Sequence, residues 1–269
     1  MRYKLLFTDV SSIIPADSHD VELPDNIVFA EGGTRLDRYN EASSVLRNQP
    51  NVNAVIMLEP KTGDLSKAIN ELDTLAEGRR FRSTHNVDAT PSSSDPYASL
   101  CRYIKQRRIS FGNPLIGGVP HDLISNASDI WAKACAEIAQ IDNMLMKQSI
   151  TTYVPNYNGR RTQEGSHINT HIDAQTTPSD MRIIECLAGS GTLVFDDNDF
   201  TVTDKDTISL IKRGIKCWEL PEGSSLAIRI PSETTANMGA RGTVHAHGIG
   251  QPDDTPEQRW TIRHDLTFD

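Results

Sequence analysis

Paired cysteines are missing from this chain. Cys101, Cys135, Cys186 and Cys217 are its four cysteines, far apart and without a C-x-x-C pair. That spacing excludes a zinc finger and a disulfide-knotted secreted framework, and it fits reduced thiols in a cytoplasmic protein. Long apolar runs are missing too, since none approaches the ~18 residues of a membrane span. The opening segment reaches only Leu5-Leu6-Phe7 before Asp9, so no secretory signal is expected there. Positive charge is scarce: 27 Lys and Arg against 36 Asp and Glu leave a formal net charge of −9. Such a balance argues against a chain whose main task is gripping nucleic-acid phosphates. No G-x-S-x-G nucleophile elbow occurs. Gly189-Ser190-Gly191 is too short and badly placed for a phosphate loop, and is expected to turn one strand into the next.

What is present is a 269-residue chain with 37% hydrophobic residues, enough to bury a sizeable core without staples. Val52 to Leu58 suits a buried strand, and Leu65, Ile69, Leu72 and Ala76 stand at helical spacing before Gly78. Asn86 to Pro96, with two prolines and a serine run, reads as a mobile surface loop. A short helix is expected near 99–108. A stronger one is expected over 127–147, where Trp131, Ala134, Ile138, Ile141 and Leu145 form one apolar stripe.

From Ser149 the texture changes. Short β-rich runs alternate with Gly, Asp, Asn and Pro turns at 149–155, 166–173, 181–187, 191–196, 206–211, 225–230, 242–247 and 258–268. About eight strands at this spacing suggest a sandwich or jelly roll. The expected fold is therefore α+β: an N-terminal α/β layer over 1–125, packed on a packing helix and cupin-like jelly roll over 126–269. The two halves could equally form one integrated domain.

Within the β region, His171-Ile172-Asp173 forms an H-x-D pair. Residues i and i+2 share a strand face, so an imidazole and a carboxylate can reach one metal ion together. One further histidine would complete a 2-His-1-carboxylate facial triad with open coordination positions. H-x-D alone is common by chance, and its bland reading is a charge-assisted pair on a half-buried strand. Its context raises its weight: Gly242-Thr243-Val244-His245-Ala246-His247 is a later β-type segment, and Arg259-Trp260-Thr261-Ile262-Arg263 alternates after it.

The order H-x-D … H … R resembles the Fe(II)/2-oxoglutarate-dependent oxygenases, whose double-stranded β-helix holds iron with this set. That resemblance covers about 149–269. It implies His171, Asp173 and His245 as iron ligands, with 2-oxoglutarate as co-substrate and O2 as oxidant. It also implies Arg259 and Thr261 as the holders of the co-substrate's distal carboxylate, a task suited to an Arg fork and a hydroxyl. Tyr153, with Asn156, Asn158 and Gly159, resembles the tyrosine region that contacts the co-substrate in several members.

A second resemblance runs along more of the chain. An uncharacterised bacterial domain-of-unknown-function family has a similar order of features. Here they are Val52 to Arg80, Ala127 to Lys147, His171 and Asp173, Arg182-Ile183-Ile184, Gly189-Ser190-Gly191-Thr192 and Gly242 to His245. It supports His245 over His247 as the third ligand and implies no reaction.

Several alternatives stay open on the residues. His247 shares a face with His245, Arg263 shares one with Arg259, and Glu185 could displace Asp173 if the strand register differs. Arg182 and Arg241 could face substrate, although a surface ion pair is as good a reading. Arg79, Arg80, Arg82 and Lys105 to Arg108 could recruit an anion, but a solvated helix face is commoner. Asp196-Asp197-Asn198-Asp199 lacks the alternating ligands of a calcium loop and reads as a hairpin turn. The leading expectation is a dioxygenase that oxidises, by default hydroxylates, a C–H bond of a small-molecule substrate, without nucleic-acid or membrane partners. Its rivals are a cupin-like metal enzyme that does not use 2-oxoglutarate and a non-enzymatic zinc-binding or sensing protein. Nothing in the sequence speaks to oligomeric state.

Overall fold

The computed structural model describes residues 2–58, 85–88, 149–154, 167–173, 179–188, 191–202, 208–247 and 260–266. In chain order these form β1 (Arg2–Leu6), β2 (Val10–Pro15), β3 (Ile27–Phe29), α1 (Arg35–Asn48), β4 (Ala54–Met57) and β5 (His85–Asp88). Then come β6 (Ser149–Val154), β7 (His167–His171), β8 (Met181–Ala188), β9 (Thr192–Phe195), β10 (Phe200–Val202) and β11 (Ile208–Leu210). The last elements are β12 (Ile215–Glu219), β13 (Ser225–Arg229), α2 (Glu233–Asn237), β14 (His245–His247) and β15 (Trp260–Leu266).

Two large sheets result. One has six strands in the order β1-β7-β14-β9-β12-β2, the other seven in the order β3-β4-β13-β8-β15-β6-β5. Pairing is antiparallel except at β12 with β2 and β3 with β4. β10 and β11 pair only with each other among the described strands.

Strand phase decides which layer each side chain enters, because successive residues point to opposite faces. Val194, Ile184, Leu226, Ile228 and Trp218 share one buried cluster, so the two sheets pack face to face. Their neighbours Leu193 and Phe195 fall in a second cluster with Phe200 and Ile208, which places β10 and β11 over the outer face of the six-stranded sheet. Ile183, Ala227, Val55 and Met57 form a third cluster with Tyr39, Ala42 and Leu46 of α1, which covers the outer face of the seven-stranded sheet. β4, β9 and β13 are buried along their whole length, which is why apolar residues stand on both phases of each. β2, at a sheet edge, alternates half-buried with exposed residues.

Helix α1 has no counterpart in the sequence-based expectations. Its start is nonetheless encoded: Thr34 and Asp37 form a capping box, with the Asp37 amide donating to Thr34 Oγ1 and the Thr34 amide to Asp37 Oδ2, each at 3.1 Å. After its end, Arg229 Nη2 donates to the Gln49 and Val52 carbonyls at 3.0 and 2.7 Å, tying the α1–β4 link to β13. Strands β1 to β4 are sewn into the edges of both sheets instead of stacking as a separate sheet.

Three expectations are corrected here. Residues 86–88 of the supposed loop belong to β5, which pairs with β6; the remainder of that segment lies outside the described residues. Asp197–Asp199 is a 3-10 turn capped by Asp196, and it crosses from β9 to β10 instead of closing a hairpin, since those two strands do not pair. The strand carrying H-x-D ends at His171, so Asp173 stands just beyond it. The helices expected near 64–78, 99–108 and 127–147 lie outside the described residues. No helix among the described residues is long and apolar enough to cross a membrane.

Two glycines are required by close approach. A Cβ on Gly191 would lie 1.6 Å from the Leu220 carbonyl oxygen, so the chain can enter β9 beside β12 only without a side chain. A Cβ on Gly242 would lie 2.5 Å from Ile172 Cγ2 and 2.7 Å from Pro231 Cγ, which lets the approach to β14 nest against the end of β7.

Candidate metal centre

The same strand phase builds the centre. Ile168 and Ile172 on one strand, and Val244 and Ala246 on the other, pack into the outer cluster of the six-stranded sheet. His171 and His245, in the opposite phase, therefore face the seven-stranded sheet. β7 and β14 pair antiparallel with His245 directly opposite His171. Their rings lie 4.3 Å apart between centroids, inclined at 49°.

Asp173 closes the group. Its Oδ1 lies 3.6 Å from His171 Nε2 and its Oδ2 lies 3.5 Å from His245 Nε2. One donor atom from each of the three residues falls within 4.8 Å of the others. His245 is buried, whereas His171 and Asp173 each keep 16% of their side-chain surface exposed, so the group opens toward solvent on one side.

Two contacts fix it from behind. His245 Nδ1 lies 3.0 Å from the Thr243 carbonyl oxygen. A carbonyl can only accept, so Nδ1 is the donor there, and Nε2 is the nitrogen turned toward Asp173. From the facing sheet, Arg182 Nη1 reaches Asp173 Oδ2 at 2.5 Å. Burial would raise the Asp173 carboxyl, but the charges of His245, Arg182 and His171 and a hydrogen bond from His245 outweigh it. The group is held far below the usual carboxylate range.

The donor set fits a divalent cation. Two imidazole nitrogens and a carboxylate oxygen suit Fe(II) or Zn(II), and bonds of about 2.1 Å need only a small contraction from the distances seen.

The other expected site residues fall as follows. His247 ends β14 opposite Thr192 of β9, Tyr153 stands on β6 opposite Ile262, and on β15 Thr261 and Arg263 pair with Cys186 and Ile184 of β8. Their side chains, and Arg259 entirely, lie outside the described residues, as do the basic groups at 79–82 and 105–108. Glu185 does not compete with Asp173. It lies on the outer face of β8, where Tyr39 OH of α1 donates to it. Arg182 corrects the expectation of a surface ion pair: it is 1% exposed and shares the inner phase of Ile184. The signal was an Arg inside the apolar run Met181-Arg182-Ile183-Ile184, in phase with a core residue. Arg241 is exposed.

No protein-family model matches the chain, and no curated protein matches it. Among solved structures, a full-length Neurospora crassa protein in complex with alpha-KG is similar at a TM-score of 0.41 and 10% identity, over 93% of this chain and 87% of that one. A rice dioxygenase for auxin oxidation is similar at 0.41 and 11%, over 91% and 83%. A Pseudomonas putida prolyl-4-hydroxylase is similar at 0.31 and 8%, over 85% and 100%.

Proposed function

We propose that this chain is a non-haem Fe(II), 2-oxoglutarate-dependent dioxygenase that oxidises, by default hydroxylates, a C–H bond of a small molecule. The observation that carries the reading is the convergence of His171, Asp173 and His245 on the inner face of a jelly-roll-like sandwich, with His245 Nε2 turned toward the carboxylate. The strand arrangement supports a double-stranded β-helix: β6, β8, β13 and β15 sit together in one sheet, and β7, β9, β12 and β14 in the other.

His171, Asp173 and His245 would hold the iron. With 2-oxoglutarate and O2, iron there would supply an oxidant able to take hydrogen from a C–H bond. The protein's part is to orient: Thr243 fixes the His245 tautomer, and the packed sheets keep water from one side of the centre. Arg259 with Thr261 is assigned to the distal carboxylate of 2-oxoglutarate, with Arg263 as the alternative and Tyr153 as a further contact. Substrate would enter from the side where His171 and Asp173 are exposed. We read the N-terminal strands as part of one integrated domain, since they extend both sheets. The wide spacing of the cysteines, of which Cys186 and Cys217 are buried, supports a reducing, cytoplasmic setting.

The test is an anaerobic titration of metal-free protein with Fe(II) and then 2-oxoglutarate, following the weak visible charge-transfer band of the chelated co-substrate. Its appearance in the native protein, with loss in Asp173→Ala and Arg259→Ala, supports the oxygenase. Iron binding without the band favours a cupin-like enzyme whose substrate coordinates directly. Zn(II) binding with no uptake of iron favours a zinc-binding protein.

A further inference from the structure

We propose that Arg182 is a positioning residue that sets the orientation of Asp173 for metal binding, a role that rests on the His171–Asp173–His245 reading. Asp173 stands two residues past the end of β7 and two past the last residue of that strand paired with β14. No described ladder bond holds it, although its carboxylate must meet donors that two paired strands already hold in place. Arg182 supplies the missing restraint across the interior. It belongs to β8 of the seven-stranded sheet, and its Nη1 spans the gap between sheets to reach Asp173 Oδ2 at 2.5 Å.

Its placement has a stated cost. A guanidinium that is 1% exposed is expensive to bury unless it is paired. A Leu or Met at position 182 would suit the apolar run of β8 better if packing were the only requirement. The contact also makes the two carboxylate oxygens unequal. Oδ2 is engaged by the guanidinium, which leaves Oδ1, 3.6 Å from His171 Nε2, as the oxygen offered to a metal. Asp173 is thereby biased toward one-oxygen ligation, and two donors of the three are each held by a second group: His245 by the Thr243 carbonyl, Asp173 by Arg182.

A cation beside a ligand carboxylate also repels a dication. Positioning and repulsion therefore predict opposite outcomes when the charge is removed, and this makes the role testable. The experiment is anaerobic calorimetric titration with Co(II), with the Co(II) d–d spectrum recorded on the same samples and circular dichroism to check folding. The proteins are the full chain, Asp173→Ala, Arg182→Met and Arg182→Lys. Positioning predicts Co(II) affinity about 10–100-fold weaker in Arg182→Met, with an altered d–d spectrum. It also predicts partial rescue in Arg182→Lys, about 3–10-fold weaker than the native chain, because lysine keeps the charge but lacks the planar fork.

Unchanged or tighter binding in a folded Arg182→Met overturns the proposal. If Arg182→Met does not fold, Arg182→Lys decides, and native affinity with a native spectrum overturns it. If the native chain binds no Co(II), or Asp173→Ala binds as tightly as the native chain, the metal-centre reading itself falls and this role falls with it. Loss in Asp173→Ala with no change in either Arg182 variant removes the positioning role alone.

Discussion

The His245 ring is bonded through Nδ1 to the carbonyl oxygen of Thr243, two residues earlier on the same segment, at 3.0 Å. This short-range bond orients a side chain whose functional neighbours, His171 and Asp173, come from a distant part of the chain. The sequence favoured His245 over His247 as the distal ligand, with His247 kept as the alternative.

Replacing His245 by Ala should therefore lower divalent-metal affinity by about 100-fold or more, since a ligand itself is lost and not merely its support. His247→Ala should leave affinity within about twofold. Calorimetric titration of both variants checks this. Equal losses in the two would remove the assignment of His245 as the single distal ligand.

Asp197 should give stability an unusual pH slope. Burial pushes its carboxyl up to about 6 from 3.8, and Asp196 adds to the rise, although Asn53, Arg241 and the Val244 amide oppose it. The folded state thus holds more protons than the unfolded state between those values. Stability from this group is greatest at low pH and declines as pH rises through about 4 to 6, by on the order of 3 kcal/mol. Asp197→Asn should flatten that part of a Tm-against-pH curve, and an unchanged slope would remove Asp197 as its source.

The Tyr39 hydroxyl donates to Glu185, both of them buried, and so pins α1 to the outer face of β8. Tyr39→Phe takes a donor away from a buried carboxylate and should destabilise the fold by about 1–3 kcal/mol. Metal affinity should not change, because Glu185 faces away from the centre. Denaturant unfolding and metal titration on the same variant test the two halves separately.

Gly242→Ala should affect both properties. The new methyl would stand 2.5 Å from Ile172 Cγ2, and Ile172 separates His171 from Asp173 in the chain. Overpacking of this kind costs about 1–3 kcal/mol. A lower Tm together with weaker Co(II) binding is expected, and a fully native Tm would mean that the Ile172 and Pro231 side chains give way freely.

The difference between local and non-local information explains what was legible. His171 and Asp173 could be paired from sequence because a two-residue period is a property of any extended backbone. The two-sheet β texture was legible for a similar reason: runs such as Leu193-Val194-Phe195 are apolar on both phases because β9 is buried on both faces. Helix α1 was missed, though its Thr34–Asp37 capping box is written in the sequence, because its buried face became recognisable only against the third cluster. Strands β1 and β2 take their identity from partners β7 and β12, far along the chain.

The sequence by itself determined which side chains can bind a metal and which alternate residues share a face, because those follow from side-chain chemistry and backbone period. Only the tertiary structure decided that His245 lies opposite His171, that Glu185 turns toward Tyr39, and that Arg182 is buried against Asp173. Each of those depends on strand register and sheet packing, which are set by contacts between residues far apart in the chain, and a shift of one residue would have reversed every face.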